Sequence, residues 1–183
     1  MFKRNKKTAS KSSPTQGAQK GLHMTRIFKA PPELLFDIFT QGEHMPNWRG
    51  PRGCKTSVIS QTLQPGGSIL YTQETPNGGV MWGKFNYREI EAPHRFIYTN
   101  CFSDAEGNRI RAPFSKDWPL EILNTITFEP HEHGTKLILH GAPEEANKAE
   151  RRVFEALMDN VRQGMNETFQ LLDEYLERVQ QKP

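Results

Sequence analysis

Cysteine is scarce in this chain, with two residues among 183. Cys54 and Cys101 lie in separate strand-like segments and form no CxxC pair, so a disulfide framework is not expected. A reducing compartment is the default for such a protein, and we expect the cytoplasm. Long apolar runs are also missing, because no segment approaches the roughly 18 residues of a membrane-spanning helix. We therefore expect no membrane span.

Acidic residues are absent from the first 22 positions, which hold six of the 24 basic residues. The rest of the chain then carries 18 basic residues against 21 acidic ones, so the net charge of +3 comes from this segment. Its Lys, Ser, Thr, Gln and Gly content is typical of a disordered solubilising tail. A basic tail can also bind anionic surfaces, but nucleic-acid-binding motifs are missing elsewhere and we expect no nucleic acid partner. The predicted division is a disordered tail over 1–22 and one domain over 23–183.

The usual motifs of nucleophilic and nucleotide chemistry are missing as well. There is no GxSxG, no Walker loop and no Rossmann fingerprint, and neither cysteine has a histidine near it in sequence. His131 and His133 form an HxH pair, but they lie at a hairpin tip between Pro130 and Gly134 without a third ligand in sequence. We therefore predict no catalytic residue, no metal and no cofactor.

What the sequence does contain begins with one short strand followed by two short helices. Alternation over Thr25–Lys29 predicts the strand. Pro31 and Pro32 suit the entry of a helix, where a missing amide hydrogen costs nothing. Apolar residues at helical spacing then predict this helix over residues 34–39, ended by Gln41-Gly42. A second helical turn is predicted over Glu43–Asn47, just before Trp48.

Strand-like segments separated by turns follow this opening. They are predicted over Lys55–Leu63, Ser68–Glu74, Val80–Ile90, Arg95–Phe102, Trp118–Glu129 and Thr135–Gly141. The first two should form a hairpin, and Gly83 is expected to mark a bulge or bend. Ser103–Asp117 is a polar loop of about 15 residues, long enough to act as the lid or mouth of a site.

The chain ends in a helical pattern whose apolar residues recur at steps of three and four from Phe154 to Val179. Gly164 interrupts this stripe and permits a kink. Short connections favour an antiparallel sheet, and the long helix is the element large enough to cover its apolar face. The predicted fold class is α+β, a curved antiparallel β-sheet wrapped around a long C-terminal α-helix, with a cavity between the two.

Several sequence segments, in this order, resemble the SRPBCC superfamily of START-like, or helix-grip, proteins. Within it, the chain is similar to the bacterial group related to the C-terminal domain of the activator of heat-shock-protein-90 ATPase. The segments are 26–31, Trp48-Arg49-Gly50-Pro51, 63–67, 83–90, 93–99, 125–128 and 134–137. Arg49 stands where family members often have a second Trp, and Thr168-Phe169 stands where many have Gly-Trp. Both positions border the cavity that the resemblance implies.

A ligand pocket is predicted from the faces of the last strands. Alternation places Asn124, Ile126 and Phe128 on one face, and Tyr98 and Asn100 on the matching face of a neighbouring strand. Buried amides need partners, so these groups either contact a ligand or form a structural hydrogen-bond network. The predicted pocket residues are Trp48, Phe85, Tyr98, Asn100, Trp118, Asn124, Ile126, Met165 and Phe169.

Three functions follow from the resemblance and these residues. The favoured one is binding of a small hydrophobic ligand in the cavity, without catalysis. The second is a protein-interaction module that acts with a chaperone, as the ATPase-activator domain does. The third is a cyclase or hydrolase of a polyketide-like substrate, which would need a titratable pocket residue with a perturbed pKa.

Overall fold

The computed structural model describes residues 20–181 as one sheet with helices packed against it. The strands are β1 Leu22–Phe28, β2 Lys55–Gln61, β3 Ser68–Glu74, β4 Val80–Glu91, β5 Arg95–Ser103, β6 Arg109–Ile110, β7 Glu121–His131 and β8 Gly134–Glu144. The α-helices are α1 Pro32–Thr40, α2 Lys148–Ala156 and α3 Met158–Gln180, and a 3-10 helix spans Gly42–Asn47. Seven strands lie in the order β1-β8-β7-β5-β4-β3-β2, and β6 pairs with β5.

Every strand pairing in this sheet is antiparallel, as predicted from the short connections. The curved sheet and the long C-terminal helix form the α+β helix-grip fold that the sequence predicted. No helix within residues 20–181 has both the length and the apolar character needed to cross a membrane.

The first strand begins earlier than predicted. Leu22 pairs with Gly141 of β8 and is 4% exposed, so it belongs to the core although it was assigned to the tail. The strand β1 therefore starts three residues before the predicted Thr25. The basic segment before Lys20 lies outside the described residues.

The helical entry has the form that the two prolines predicted. Pro31 is the extended N-cap residue of α1, Pro32 is its first residue, and Gln41 caps its C-terminus. Leu35, Ile38 and neighbouring apolar residues of α1 are buried, and the 3-10 helix takes the place of the predicted second turn. These two helices close one end of the sheet, where the rings of α1 pack on Phe128 of β7 at 5.4–5.5 Å.

Gly83 does not form the predicted bulge. It keeps regular register with Tyr71 and Phe102, and the irregularity of β4 lies between Tyr87 and Glu89. A Cβ atom at Gly83 would lie 2.5 Å from Cζ and Oη of Tyr71. The glycine is therefore needed because the Tyr71 ring lies against the bare backbone of the neighbouring strand.

The C-terminal helical pattern is broken, and not at the predicted place. Leu157, at φ −97° and ψ 4°, separates α2 from α3. Gly164 lies inside α3, where a Cβ atom would meet nothing within 4 Å. The helix α2 has its own start signal, a capping box in which Asn147 and Glu150 satisfy each other's backbone amides. The apolar stripe thus continues across two helices with a bend between them.

The inner face of the sheet carries the alternation that the sequence predicted for β7. Ile122, Asn124, Ile126 and Phe128 are all buried, and the residues between them are half-buried. On the opposite face of β5, Thr99 and Cys101 are also buried.

The polar loop after β5 has more structure than expected. It contains β6, which pairs with the end of β5. Lys84 Nζ donates to the carbonyl of Gly107 at 3.2 Å, and Arg111 forms an ion pair with Glu150 of α2. These contacts fix the loop against both the sheet and the helix.

Candidate functional site

A cavity of about 120 Å³ lies between the sheet and the C-terminal helices. The sheet contributes its floor, α2 and α3 contribute its roof, and two loops close its ends. The lining residues are Leu22, Arg49, Tyr98, Asn100, Trp118, Ile122, Asn124, Leu139, Gly141, Phe154, Val161 and Met165. Most of these side chains are apolar, with a few polar groups among them, which is the usual composition of a small-molecule site.

The floor is made by two neighbouring rows of the sheet. Cross-strand pairing places Leu22, Gly141, Asn124 and Tyr98 in one row, and the second row includes Asn100. Gly141 has no side chain at the centre of the first row, which leaves room for the Asn124 amide. A Cβ atom at Gly141 would lie only 3.1 Å from Oδ1 of Asn124. The strand register thus brings both amides to the same open space.

The two amides are joined to each other. Asn124 Nδ2 donates to Asn100 Oδ1 at 2.7 Å and to the carbonyl of Ile122 at 3.0 Å. Both donor hydrogens of Asn124 are therefore used. The Nδ2 group of Asn100 has no hydrogen-bond partner among residues 20–181, which leaves it available at the cavity.

Arg49 supplies the cationic group of the cavity wall. It is half-buried in the segment after the 3-10 helix, and its backbone carbonyl accepts a 2.6 Å hydrogen bond from the Thr56 hydroxyl. Its guanidinium carbon lies 4.7 Å from the centre of the Phe85 ring and 5.9 Å from that of Trp48. The anchored backbone and the stacked aromatic rings hold the guanidinium in place.

The roof and one end of the cavity are aromatic. Trp118, at the end of the loop after β6, packs on Phe154 of α2 at 5.5 Å between ring centres, and Phe114 packs on its other side at 5.5 Å. Phe154 and Val161 lie on either side of the helix break at Leu157, and both contact the cavity. The bend therefore places residues of two helices over one small space.

Five of the nine predicted pocket residues line this cavity: Tyr98, Asn100, Trp118, Asn124 and Met165. The other four lie in the core around it. Trp48 packs on Phe39 at 4.8 Å, Phe85 lies beneath Arg49, Ile126 is fully buried, and Phe169 packs edge-on against Phe28 at 5.5 Å. Their positions support the cavity walls without reaching the open space.

Sequence reasoning did not include seven of the lining residues. Strand alternation could have found Ile122, two residues before Asn124, and the apolar stripe could have found Phe154 and Val161. Leu22 was assigned to the tail, while Leu139 and Gly141 needed the register between β7 and β8. Arg49 was noticed for its unusual place beside Trp48, and the structure puts it at the cavity.

Burial controls the acid–base state of several groups near the cavity. Burial raises the pKa of Tyr71, and the guanidinium of Arg49 opposes that rise. Burial also raises the pKa of Tyr87 to about 12 and that of the Cys101 thiol to about 11. Both phenols and the thiol are therefore neutral at pH 7, and a thiol that stays protonated is a poor nucleophile.

In the described part of the chain, the histidine pair at the hairpin tip has no third metal-ligating side chain beside it. His131 and His133 have ring centres 5.6 Å apart, and the amide of His133 donates to Nδ1 of His131 at 3.2 Å. Within residues 20–181, no three His, Cys, Asp or Glu side chains converge in a way that could hold an ion.

Comparison with known proteins identifies the kind of domain that contains this cavity. The family model described as "Activator of Hsp90 ATPase homolog 1-like protein" matches residues 29–177. No curated protein matches the chain. Among solved structures, a Mycobacterium smegmatis protein is 22% identical, with a TM-score of 0.71 over 87% of this chain and 92% of its own.

Two further structures show the same likeness. A Staphylococcus epidermidis protein is 23% identical, with a TM-score of 0.70 over 90% of this chain and 93% of its own. The AHSA1 protein from Silicibacter pomeroyi is 18% identical, with a TM-score of 0.66 over 87% of this chain and 99% of its own. At these identities the likeness shows the fold.

Proposed function

Because the chain belongs to the activator of Hsp90 ATPase homolog 1-like family, we propose that it binds a small, largely apolar molecule in the cavity between its sheet and its C-terminal helices. The observation that carries this proposal is an apolar cavity with two amides and one guanidinium at its wall. Such a combination gives a ligand both a hydrophobic environment and fixed polar contacts. A cytoplasmic location, expected from the scarcity of cysteine, is part of the same proposal.

The size of the cavity limits the ligand. At about 120 Å³ it is smaller than the roughly 300–1,000 Å³ of typical drug-sized pockets. An apolar cavity of about 150 Å³ is enough to bind benzene. We therefore propose a ligand of about one aromatic ring or a short alkyl chain, rather than a lipid or polyketide.

The lining supports binding more than catalysis. Its titratable side chains are Arg49 and Tyr98, and no carboxylate, histidine or cysteine is among the described lining residues. General acid–base catalysis uses groups whose pKa lies near the working pH. The cyclase or hydrolase alternative therefore has little support from the described wall of the cavity.

A chaperone-linked role is the second candidate, and the description of the matching family is the observation in its favour. Such a role needs an apolar surface outside the cavity. The large apolar side chains that are well exposed in residues 20–181 lie on several separate elements, and they are Ile27, Ile59, Val80, Ile110 and Phe114. Pull-down with a heat-shock-protein-90 chaperone tests this candidate, and recovery of a complex would support it.

The test of ligand binding uses a variant that fills the cavity. Val161 is half-buried on α3 and lines the cavity, so V161F places a ring in the space that a ligand would occupy. Val179 is also half-buried on α3 but lies away from the cavity, so V179F is the matched control. Both proteins would be titrated with toluene and benzoate, and binding measured by ligand-detected NMR.

Wild type and V179F should bind at least one of the two probes, whereas V161F should bind neither. If wild type binds neither probe, or if V161F binds as well as wild type, cavity binding is the wrong function. Native mass spectrometry of the protein from its own host then identifies the molecule that travels with it.

A further inference from the structure

We infer that the ligand of this cavity is a small organic anion, a monocarboxylate whose charged group contacts Arg49 and Asn100 and whose apolar part lies under α2 and α3. This inference rests on the proposed binding function and adds the chemical class of the ligand. The positive charge of Arg49, the donor groups of Arg49 and Asn100, and the size of the cavity support it.

Among residues 20–181, the cationic group of the cavity has no carboxylate counter-ion. Six arginines of residues 20–181 pair with carboxylates, among them Arg26 with Asp173 and Arg111 with Glu150. No carboxylate of residues 20–181 lies within 4.0 Å of the Arg49 guanidinium, although this residue is half-buried. A charge withdrawn from water is costly unless a partner of opposite sign is present. An anionic ligand would supply that partner.

The stacking of Arg49 fixes the plane of its donors, of which one side faces the Tyr71 hydroxyl and another the cavity. Its guanidinium lies over the Phe85 ring at 4.7 Å, so one face of the ion is covered by an aromatic surface. The N–H groups point outward in the plane of the ion, where they form the fork that suits a carboxylate. Phe85 pairs directly with Asn100 across β4 and β5, which brings Arg49 close to that amide.

Asn100 adds a neutral donor to the same end of the cavity. Its Oδ1 already accepts from Asn124 Nδ2 at 2.7 Å, so the orientation of the amide is fixed. No described residue accepts a hydrogen bond from its Nδ2 group, and Asn100 lines the cavity. One guanidinium and one amide N–H₂ make a donor-rich end, which favours an acceptor-only group such as a carboxylate.

The rest of the cavity selects a short apolar body. Trp118, Phe154, Leu139 and Met165 line the part that the polar groups leave open. The volume of about 120 Å³ corresponds to a single ring or a short alkyl chain. Benzoate and butyrate are therefore suitable probes, and benzamide and butyramide are neutral analogues of nearly the same shape.

The experiment compares each anion with its neutral analogue by isothermal titration calorimetry. Four proteins are used: wild type, R49Q, R49K and R52Q. Arg52 lies three residues from Arg49 and pairs with Glu174 at the surface, so R52Q removes the same charge outside the cavity. Urea unfolding of each variant confirms that it is folded before it is titrated, and R49K keeps the positive charge if R49Q is unstable.

We expect wild type and R52Q to bind one of the carboxylates at least tenfold more tightly than its amide. This preference should disappear in R49Q and be only partly retained in R49K, which keeps the charge but loses the fork. Raising the salt concentration should weaken carboxylate binding by wild type more than amide binding.

Three results would overturn the inference, and they are distinguishable. If the amides or toluene bind as tightly as the carboxylates, or if R49Q keeps the preference, the ligand is not an anion held by Arg49, although the cavity remains a binding site. If no probe binds to wild type at all, the proposed binding function fails together with the inference. Tighter binding of inorganic phosphate than of either carboxylate would also reject the monocarboxylate.

Discussion

Asn124 of β7 and Asn100 of β5 are joined by one side-chain hydrogen bond, 2.7 Å from Nδ2 to Oδ1, at the floor of the cavity. The bond runs diagonally between two rows of the sheet, since Asn124 pairs with Tyr98 and Asn100 pairs with Ile122. It fixes which end of each amide faces the open space. The electrostatic character of the cavity therefore depends on this pair as well as on Arg49.

The asparagine pair gives the first prediction. N124L leaves Asn100 Oδ1 and the carbonyl of Ile122 without the donor, so it should destabilise the protein by about 1–3 kcal/mol. Adding N100L should recover part of this loss, because two apolar partners leave fewer polar atoms unsatisfied. Urea unfolding of the two single variants and the double variant measures the coupling. Strictly additive costs would show that the bond contributes nothing specific.

Gly83 gives the second prediction, with a control in the same protein. G83A would place a methyl group 2.5 Å from Cζ of Tyr71, so it should destabilise the fold by about 1–3 kcal/mol as the ring is displaced. G164A meets nothing within 4 Å inside α3 and should stabilise the fold by about 0.5–1 kcal/mol. Thermal and urea unfolding of both variants check the opposite signs. Equal effects of the two substitutions would contradict the packing argument.

The third prediction concerns stability in acid. The side-chain hydrogen bond from Arg111, together with the backbone amide of Asn147, lowers the pKa of Glu150 below 4.5. Because the pKa of this carboxyl is lower in the folded than in the unfolded state, its charge stabilises the fold above the unfolded-state pKa of about 4.5. This stabilisation is lost as the pH falls through the folded-state pKa. E150Q should therefore cost about 1 kcal/mol at pH 7 and almost nothing near pH 3.

Urea unfolding at several pH values measures this difference. Glu132 is exposed in the turn between β7 and β8, so E132Q is the control and should behave like wild type throughout. A cost of E150Q that is the same at pH 7 and pH 3 would show that the charge of Glu150 does not contribute.

The fourth prediction concerns the histidine pair of β1 and β8. The rings of His23 and His140 lie 4.3 Å apart, and burial, with a smaller effect of His23, lowers the pKa of His140 below 6.5. The folded state then resists protonation that the unfolded chain accepts. Above about pH 6.5, His140 is neutral in both states and does not reduce the stability of the fold. As the pH falls from there toward the folded-state pKa of His140, the free energy of unfolding decreases.

H140Q should therefore reduce the loss of stability between pH 7.5 and pH 5, measured by thermal unfolding. H133Q changes an exposed histidine of the hairpin tip and is the control. A pH profile of H140Q that follows that of wild type would contradict the role of His140 burial.

Local signals along the chain predicted most of the elements. The prolines at the start of α1, the strict alternation of β7 and the apolar steps of the last helices depend on short-range chemistry that the sequence displays directly. The predicted strand boundaries agree with the structure to within a few residues. Elements that lack such a signal were missed, among them β6 in the polar loop and the helix break at Leu157.

The candidate site was only partly predictable, because it depends on which strands lie side by side. Alternation gave the inward faces of Tyr98 and Asn124, but only the pairing of β7 with β8 added Leu139 and Gly141. Trp48 and Phe169 are aromatic residues near the site, and aromaticity alone does not separate a wall residue from the core behind it.

The sequence by itself determined the fold class, since hydrophobic periodicity and turn residues are local and survive without tertiary contacts. Its segments also carried the resemblance to the family. Only the tertiary structure decided the size of the cavity and the position of its positive charge, the Arg49 guanidinium. The bend at Leu157, the bare backbone of Gly141 and the position of Arg49 over Phe85 arise from packing between residues far apart in the chain. Packing between residues far apart in the chain determines which volume inside the protein stays unfilled, and the cavity is such an unfilled volume.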